Sequence, residues 1–267
     1  MSDLLYVYGF VPAEMDETAI DVTGIGGAAV GLVHTDDGPH AVVSRLDPGE
    51  YSAEIIDARM NDLAWVADQG VAHERVVSWF IDRGDILPAP LFTLYSSDAA
   101  VRGVIAAQRE RLEREMSRLR GLREWDLKIS FDRELLARHV GRYIEAIAEI
   151  DRELETAPEG KRYLLARRRE EMLRGQLGTT ARSLALEAFE DAREFARDAV
   201  VLPLPDPGAG LPVALNAALL VAAESEPAIL ERIAHARRTF GQAGLTIEFS
   251  GPWAPYRFIE GAPVGQS

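Results

Sequence analysis

The sequence predicts an α+β protein of two domains, and three observations carry that prediction. Trp125, Leu127, Ile129 and Phe131 alternate strictly with polar residues, the signature of a half-buried strand. Long apolar stripes at helical spacing lie on both sides of that strand. The chain has 267 residues, enough for one large domain or two of ordinary size.

Composition narrows the class. The apolar fraction is 47%, enough for real cores. There is no cysteine, which removes disulfides and thiolate chemistry and fits a reducing cytoplasm. The N-terminus lacks the basic region and apolar run of a signal peptide, and no apolar run has the length of a membrane span. Net charge is -14, and it is uneven. Residues 1–100 hold 4 basic and 17 acidic groups; residues 101–200 hold 21 and 20; the remainder holds 4 and 6. The acidic first part is a poor partner for nucleic acid or an anionic membrane. The middle is charge-dense and balanced, as solvated helix faces are.

In chain order, Leu4 to Phe10 is a first strand. Residues 11–27 form a loop ending Gly24-Ile25-Gly26-Gly27. That loop reads as a turn and not a phosphate cradle, because a strand follows it where a phosphate site needs a helix. Two apolar runs, 28–34 and 40–46, flank Asp37-Gly38 and predict a hairpin. His34 and His40 can meet across it, but two ligands make no metal site. Residues 47–58 are mixed. Helices are expected over 61–69, capped by Asn61 or Asp62, and over 72–82. His73 and Glu74 invite a catalytic reading. The simpler reading is a helix pair near a turn, with His73 bonded locally, because no nucleophile stands in an obvious relation to it. Residues 85–95 are extended, with Pro88 and Pro90 suggesting an edge.

Ser97-Asp98 starts a helix to about Arg120, striped by Val101, Ile105, Gln108, Leu112, Met116 and Leu119. The Trp125 strand follows. Asp132 opens a helix with Leu136, Val140, Tyr143, Ile147, Ile150 and Leu154 as a seam, broken at residues 156–160. A second long helix runs from about 161 to 198. Its Arg167-Arg168-Arg169-Glu170-Glu171 run reads as a solvated face. Short strands at 199–204 and 211–223 flank a Pro/Gly loop that includes Pro207. A helix from Ser225 stops at Gly241 or Gly244. The last strand, Leu245 to Ser250, is followed by Gly251-Pro252-Trp253-Ala254-Pro255-Tyr256-Arg257-Phe258. Gly251 and two prolines should end the strand there.

From residue 123 the order is strand, helices, strand, strand, helix, strand, a βαββαβ or ferredoxin-like plan with a long paired-helix insertion. Its first and third strands belong in the middle of the sheet, and its last strand at an edge beside the first. The expected division is an acidic, mixed α+β domain over 1–120, the ferredoxin-like domain over 121–260, and a tail over 261–267. No nucleophile elbow, metal spacing or dinucleotide fingerprint is present, so neither cofactor nor metal is expected. A binding or assembly component is favoured over an enzyme.

The ending Gly251-Pro252-Trp253-Ala254-Pro255-Tyr256-Arg257-Phe258 resembles the G-P-W-x-P-Y-x-F ending of the GvpF/GvpL gas vesicle protein family. Leu5-Tyr6-Val7-Tyr8-Gly9 is similar to that family's opening strand. Ile86-Leu87-Pro88 with Phe92-Thr93 is similar to a later segment, and Trp125–Ser130 to its W-x-[LV]-K-[IV] strand. Ala89-Pro90-Leu91-Phe92-Thr93 departs from the Arg-Phe-Gly-Thr-like pattern often found there. The resemblance implies a cytoplasmic, gas-vesicle-associated accessory protein that is not an enzyme. It would act in shell assembly and bind the small hydrophobic shell protein, and possible further partners are other gas vesicle accessory proteins. Two alternatives stay open: a small-molecule-binding regulator with a ferredoxin-like domain, and a hydrolase or transferase using His73. Trp253, Pro255, Tyr256 and Phe258 are the candidate contact residues. They serve either a partner or the anchoring of the chain end.

Overall fold

The computed structural model describes residues 4–15, 20–206, 208 and 210–261. The fold is mixed α+β, with two sheets. The chain forms two compact units: Met1–Glu124 joined by Pro252–Ser267, and Trp125–Gly251. The expected boundary at 120 and the placement of residues 252–260 in the second domain are thereby corrected. Within the terminal motif, Tyr256, Arg257 and Phe258 make their side-chain-mediated bonds in the first unit. Of the expected tail, residues 262–267 lie outside the described residues, as does Pro207.

The first unit contains β1 (Leu4–Val11), β2 (Val30–Val33), β3 (His40–Leu46), α1 (Pro48–Tyr51), α2 (Ala53–Arg59), α3 (Leu63–Ile81), β4 (Leu87–Pro88), β5 (Leu94–Tyr95) and α4 (Asp98–Leu119). The sheet order is β2-β3-β1-β4, with β5 also on β1. β2 and β3 pair antiparallel from Val30↔Ser44 to Val33↔Ala41, the predicted hairpin. Rings of His34 and His40 do meet across it, 4.5 Å apart and edge-on. β1 is buried along nearly its whole length. Its Tyr6 and Tyr8 enter a core with Val76, Val77 and Phe80 of α3. α3 is one helix where two were expected. Gly70 lowers helix propensity by about 1 kcal/mol, too little to break a helix whose flanks are packed. Asp62 caps it through Trp65 N–H at 3.1 Å, and Ser97 caps α4 through Ala100 N–H at 3.2 Å.

Gly24 is fixed by close approach. A Cβ there would stand 1.9 Å from the Tyr8 hydroxyl and 2.7 Å from Ser44 Oγ. The Tyr8 hydroxyl donates to Ser44 Oγ at 3.0 Å and accepts Ile25 N–H at 2.9 Å. Gly24→Ala is therefore expected to cost about 1–3 kcal/mol through overpacking and to disrupt this bonding, read as a lowered thermal midpoint.

The second sheet is built from β6 (Leu122–Phe131), β7 (Asp198–Val201), β8 (Val213–Ala222) and β9 (Leu245–Trp253). Its helices are α5 (Arg133–His139), α6 (Glu145–Thr156), α7 (Glu159–Arg193) and α8 (Glu226–Gly241). The order is β7-β8-β6-β9. Trp125, Leu127, Ile129 and Phe131 all enter the core with Leu184, Phe189, Ile229 and Ile233. The expected single helix after Asp132 is broken between α5 and α6. Gly141 sits so close to α6 that a Cβ would lie 3.1 Å from Asp151 Oδ2, and Tyr143, expected in the seam, is largely exposed. β9 continues through Gly251 and Pro252 to Trp253, three residues past the expected end. It lies at the sheet's edge, where a missing N–H is tolerated. The other edge is blunted. Leu202 N–H bonds Asn216 O at 2.8 Å, so alternate residues of β7 face β8 and the rest face away. Outward-facing Ala199 N–H is taken by the Asp198 carboxylate at 2.8 Å, and Pro203 has no N–H to offer.

Candidate functional site

The terminal motif and the His73 pair, unrelated in the sequence, meet in one bonded system of the first unit. Alternation along β1 puts the Tyr6 ring on the face that α3 covers, and the helical repeat puts His73 on the covering side. The Tyr6 hydroxyl lies 2.7 Å from His73 Nδ1. His73 Nε2 lies 3.1 Å from the Tyr256 hydroxyl. Tyr256 donates to Glu74 Oε2 at 3.2 Å, and Ser78 donates to Glu74 Oε1 at 3.3 Å. Phe92 N–H donates to the Tyr6 oxygen at 3.2 Å.

The directions are forced by the end groups. The Glu74 carboxylate accepts from Tyr256, so the Tyr256 oxygen accepts from His73 Nε2–H. His73 Nδ1 then accepts from Tyr6, whose oxygen takes the Phe92 amide. Every donor points toward Glu74, and the neutral Nε2–H tautomer is selected. Burial pushes the imidazole down to about 4, against a raising contribution from the Ala89 backbone. Burial likewise raises the Tyr6 and Tyr256 phenols. It raises Glu74 as well, partly offset by the bonds from Tyr256 and Ser78.

The chain begins at a strained residue. Phe92 has φ 63°, the one described non-glycine residue with positive φ. Its ring lies on Trp65, centroids 5.4 Å apart and planes 5° from parallel. Thr93 bonds Pro90 O at 2.7 Å and secures the turn. A conformation suited to glycine is held here by the stacking on Trp65 and by the amide bond to the Tyr6 oxygen.

Beyond Tyr256 the motif is clasped by two buried carboxylates. Glu124 accepts Arg257 N–H at 2.9 Å and also pairs with the Arg257 guanidinium. Glu115 accepts Glu260 N–H at 3.0 Å and pairs with Arg118 at 2.7 Å. Arg118 also donates to Phe258 O, and Arg111 to Glu260 O at 2.9 Å. Burial alone would raise the Glu115 carboxyl, but Arg118 and the Glu260 amide bring it below its ordinary value. Of the four motif residues, Phe258 and Pro255 are buried. Pro255 closes over a small cavity lined by Ile81, Ile86, Leu87, Met116, Leu119 and Leu122. Trp253 is half-buried, and its indole N–H, out of solvent, has no acceptor among the described residues.

The expectation that His73 bonds locally is corrected: its partners are 67 and 183 residues away. Sequence reasoning singled out His73, Glu74 and Tyr256 without joining them. It passed over Tyr6 as a binding residue, and over Glu115 and Glu124, because surface-looking carboxylates give no sign of burial. No grouping of His, Asp and Glu among the described residues is arranged to hold a metal. No helix among them is long and apolar enough to cross a membrane.

Comparison with known proteins identifies the group. The family described as "Gas vesicle synthesis protein GvpL/GvpF" matches residues 4–260. The chain is 30% identical over 245 residues to gas vesicle protein L of Streptomyces sp. (strain CB03234), covering 88% of this chain and 85% of that one. Its fold is similar to the crystal structure of GvpF from Anabaena sp. PCC7120, with TM-score 0.71 at 19% identity over 98% of this chain and all of the other. GvpF from Microcystis aeruginosa is similar as well, with TM-score 0.67 at 18% identity over 97% of this chain and all of that one. The motif clasped in the first unit and the match across nearly the whole chain agree: this protein belongs to the GvpL/GvpF family of gas vesicle proteins.

Proposed function

We propose that this chain is a non-enzymatic accessory protein of gas vesicle assembly that binds the small hydrophobic shell protein. It would act in the cytoplasm as an adaptor, chaperone-like factor or minor component of the vesicle, alongside other accessory proteins. The observation that carries this reading is the family match over residues 4–260. Two features support it. Both ring nitrogens of His73 are engaged by phenols, leaving neither for a substrate, as a general base would need. Large apolar side chains stand exposed on both units, among them Leu63, Val71, Tyr163 and Val201, which suits contact with an apolar partner.

We also read the second unit as ferredoxin-like. Its strands, numbered within the unit, lie in the order second, third, first, fourth, which supports that plan. We read Trp253, Pro255, Tyr256 and Phe258 as anchors of the terminal motif, because Pro255 and Phe258 are buried, Tyr256 is bonded to His73 and Glu74, and Trp253 is half-buried. The test is co-expression of a tagged form of this chain with the shell protein. Co-elution at a fixed ratio is expected; no association in any co-expression format would overturn the reading.

A further inference from the structure

Several exposed apolar side chains of this chain stand among charges. On α3, exposed Asp68 and Arg75 interrupt the solvent side that carries Leu63 and Val71. On α7, Tyr163 and Leu164 directly follow exposed Lys161 and Arg162. One surface of the second unit is different. From Ala199 to Pro205, and again from Leu211 to Ala223, the sequence holds no charged residue. Antiparallel pairing lays the two stretches side by side, Val200 opposite Ala218 and Val201 opposite Ala217. Beyond the strand, Leu202 N–H still bonds Asn216 O at 2.8 Å. Val201 is 53% exposed, Leu204 48% and Leu211 47%. Asn216 has the one polar side chain in either stretch, and its amide donates to Pro203 O at 3.1 Å.

Isolated exposed apolar residues are ordinary, but a cluster of them marks a contact surface. The backbone here is fixed before any contact forms. Pro203 and Pro205 fix their own φ and hold Leu202 and Leu204 extended, and Asn216 ties the segment to β8. Little conformational entropy is then lost on binding. The mode of contact is narrowed as well. Ala199 N–H is taken by the Asp198 carboxylate and Pro203 has none, so the edge presents side chains and not a ladder of donors. What fits this surface is equally uncharged, because a charged group seated against these side chains would lose its water and find no partner.

We propose that the β7 edge, through Val201, Leu204 and Leu211, is the docking surface for an uncharged apolar segment of a partner protein. The inference rests on the function proposed above and assigns that segment to the small hydrophobic shell protein. The contact is made by burying side chains, and the strong negative charge of the first part of the chain takes no share in it.

Co-expression of the tagged full chain with the shell protein tests this. Leu204→Asp with Leu211→Asp lies outside the regular strands and should cut the co-eluted shell protein by about tenfold or more. Val201→Asp should act in the same direction, and Leu204→Met with Leu211→Met should keep the wild-type ratio. Leu63→Asp with Val71→Asp, on α3, should also keep it. The altered side chains are exposed, so circular dichroism and the unfolding midpoint should stay at wild-type values. Co-elution should persist when the salt is raised, since salt screens ion pairs and not apolar contacts. Undiminished co-elution with the Leu204→Asp, Leu211→Asp variant overturns the surface and leaves the proposed function standing. Loss with the α3 variant in its place, or loss on raising the salt, overturns the surface as well. A wild type that binds in no co-expression format overturns the proposed function itself, and this inference with it.

Discussion

Phe258→Ala is expected to destabilise the first unit by about 3–5 kcal/mol, the range for removing a buried phenylalanine side chain. Phe258 is only 7% exposed, and its surroundings leave little room for collapse. Its carbonyl is bonded by Arg118, its neighbour Arg257 by Glu124, and Glu260 by Glu115 and Arg111. With the backbone clasped on both sides, the chain cannot slide to fill the vacated volume, so the cavity term is retained. Trp253→Ala should cost less, because Trp253 is half-buried and its indole N–H has no acceptor among the described residues. Hydrogen exchange read separately over the two units is the measurement. Accelerated exchange is expected in β1, α3 and α4, whereas Leu127 and Ile129 in the second unit should change little. A loss under about 1 kcal/mol, below any buried Phe→Ala change, would show that the motif is not an anchor. If binding of the shell protein then fell without loss of stability, the motif would be a partner contact.

What could be read from the residues follows the range of the forces involved. The 125–131 strand, the hairpin at Asp37-Gly38 and the caps at Asp62 and Ser97 are local, set by alternation, turn chemistry and a side chain reaching its own helix. The strand order of the second sheet also follows, since handedness rules leave few ways to connect those elements. The clasp was not legible. Glu115 and Glu124 look like surface carboxylates in a charge-dense stretch, and their burial depends on amides of residues 257 and 260, far along the chain. The end of β9 was misjudged for a related reason. Pro252 stops a central strand, but on the edge strand expected here a missing N–H is tolerated where it faces away from the neighbour, and the sequence does not say which residues face that way. His73 was noticed for its chemistry, while its partners Tyr6 and Tyr256 look like ordinary core and terminal aromatics.

The first unit is expected to lose stability as pH falls from about 6.5 to about 4, and His73 is the principal cause. Its folded value lies near 4 against an ordinary 6.5. The unfolded chain therefore binds the proton that the folded chain refuses, and stability present above 6.5 drains away down to about 4. The separation corresponds to about 3 kcal/mol. Burial is why the charge is refused, and protonation would also turn an Nδ1–H toward the Tyr6 oxygen, which already takes the Phe92 amide. Glu74 works in the opposite sense. Its carboxyl is raised by burial, so its contribution is present at low pH and is lost as pH rises through its folded value. Glu115 and Asp98 are lowered and lose their contributions at more acid pH, as pH falls through their folded values. Denaturant midpoints of the full chain across this range, with exchange read over the first unit, test the assignment. His73→Gln keeps one donor and one acceptor but cannot titrate, so its profile between 6.5 and 4 should flatten. Glu74→Gln removes the opposing contribution and should steepen the acid loss. A His73→Gln profile as steep as the wild type would assign the slope to other groups and remove His73 as the acid-sensitive joint between β1, α3 and the terminal motif.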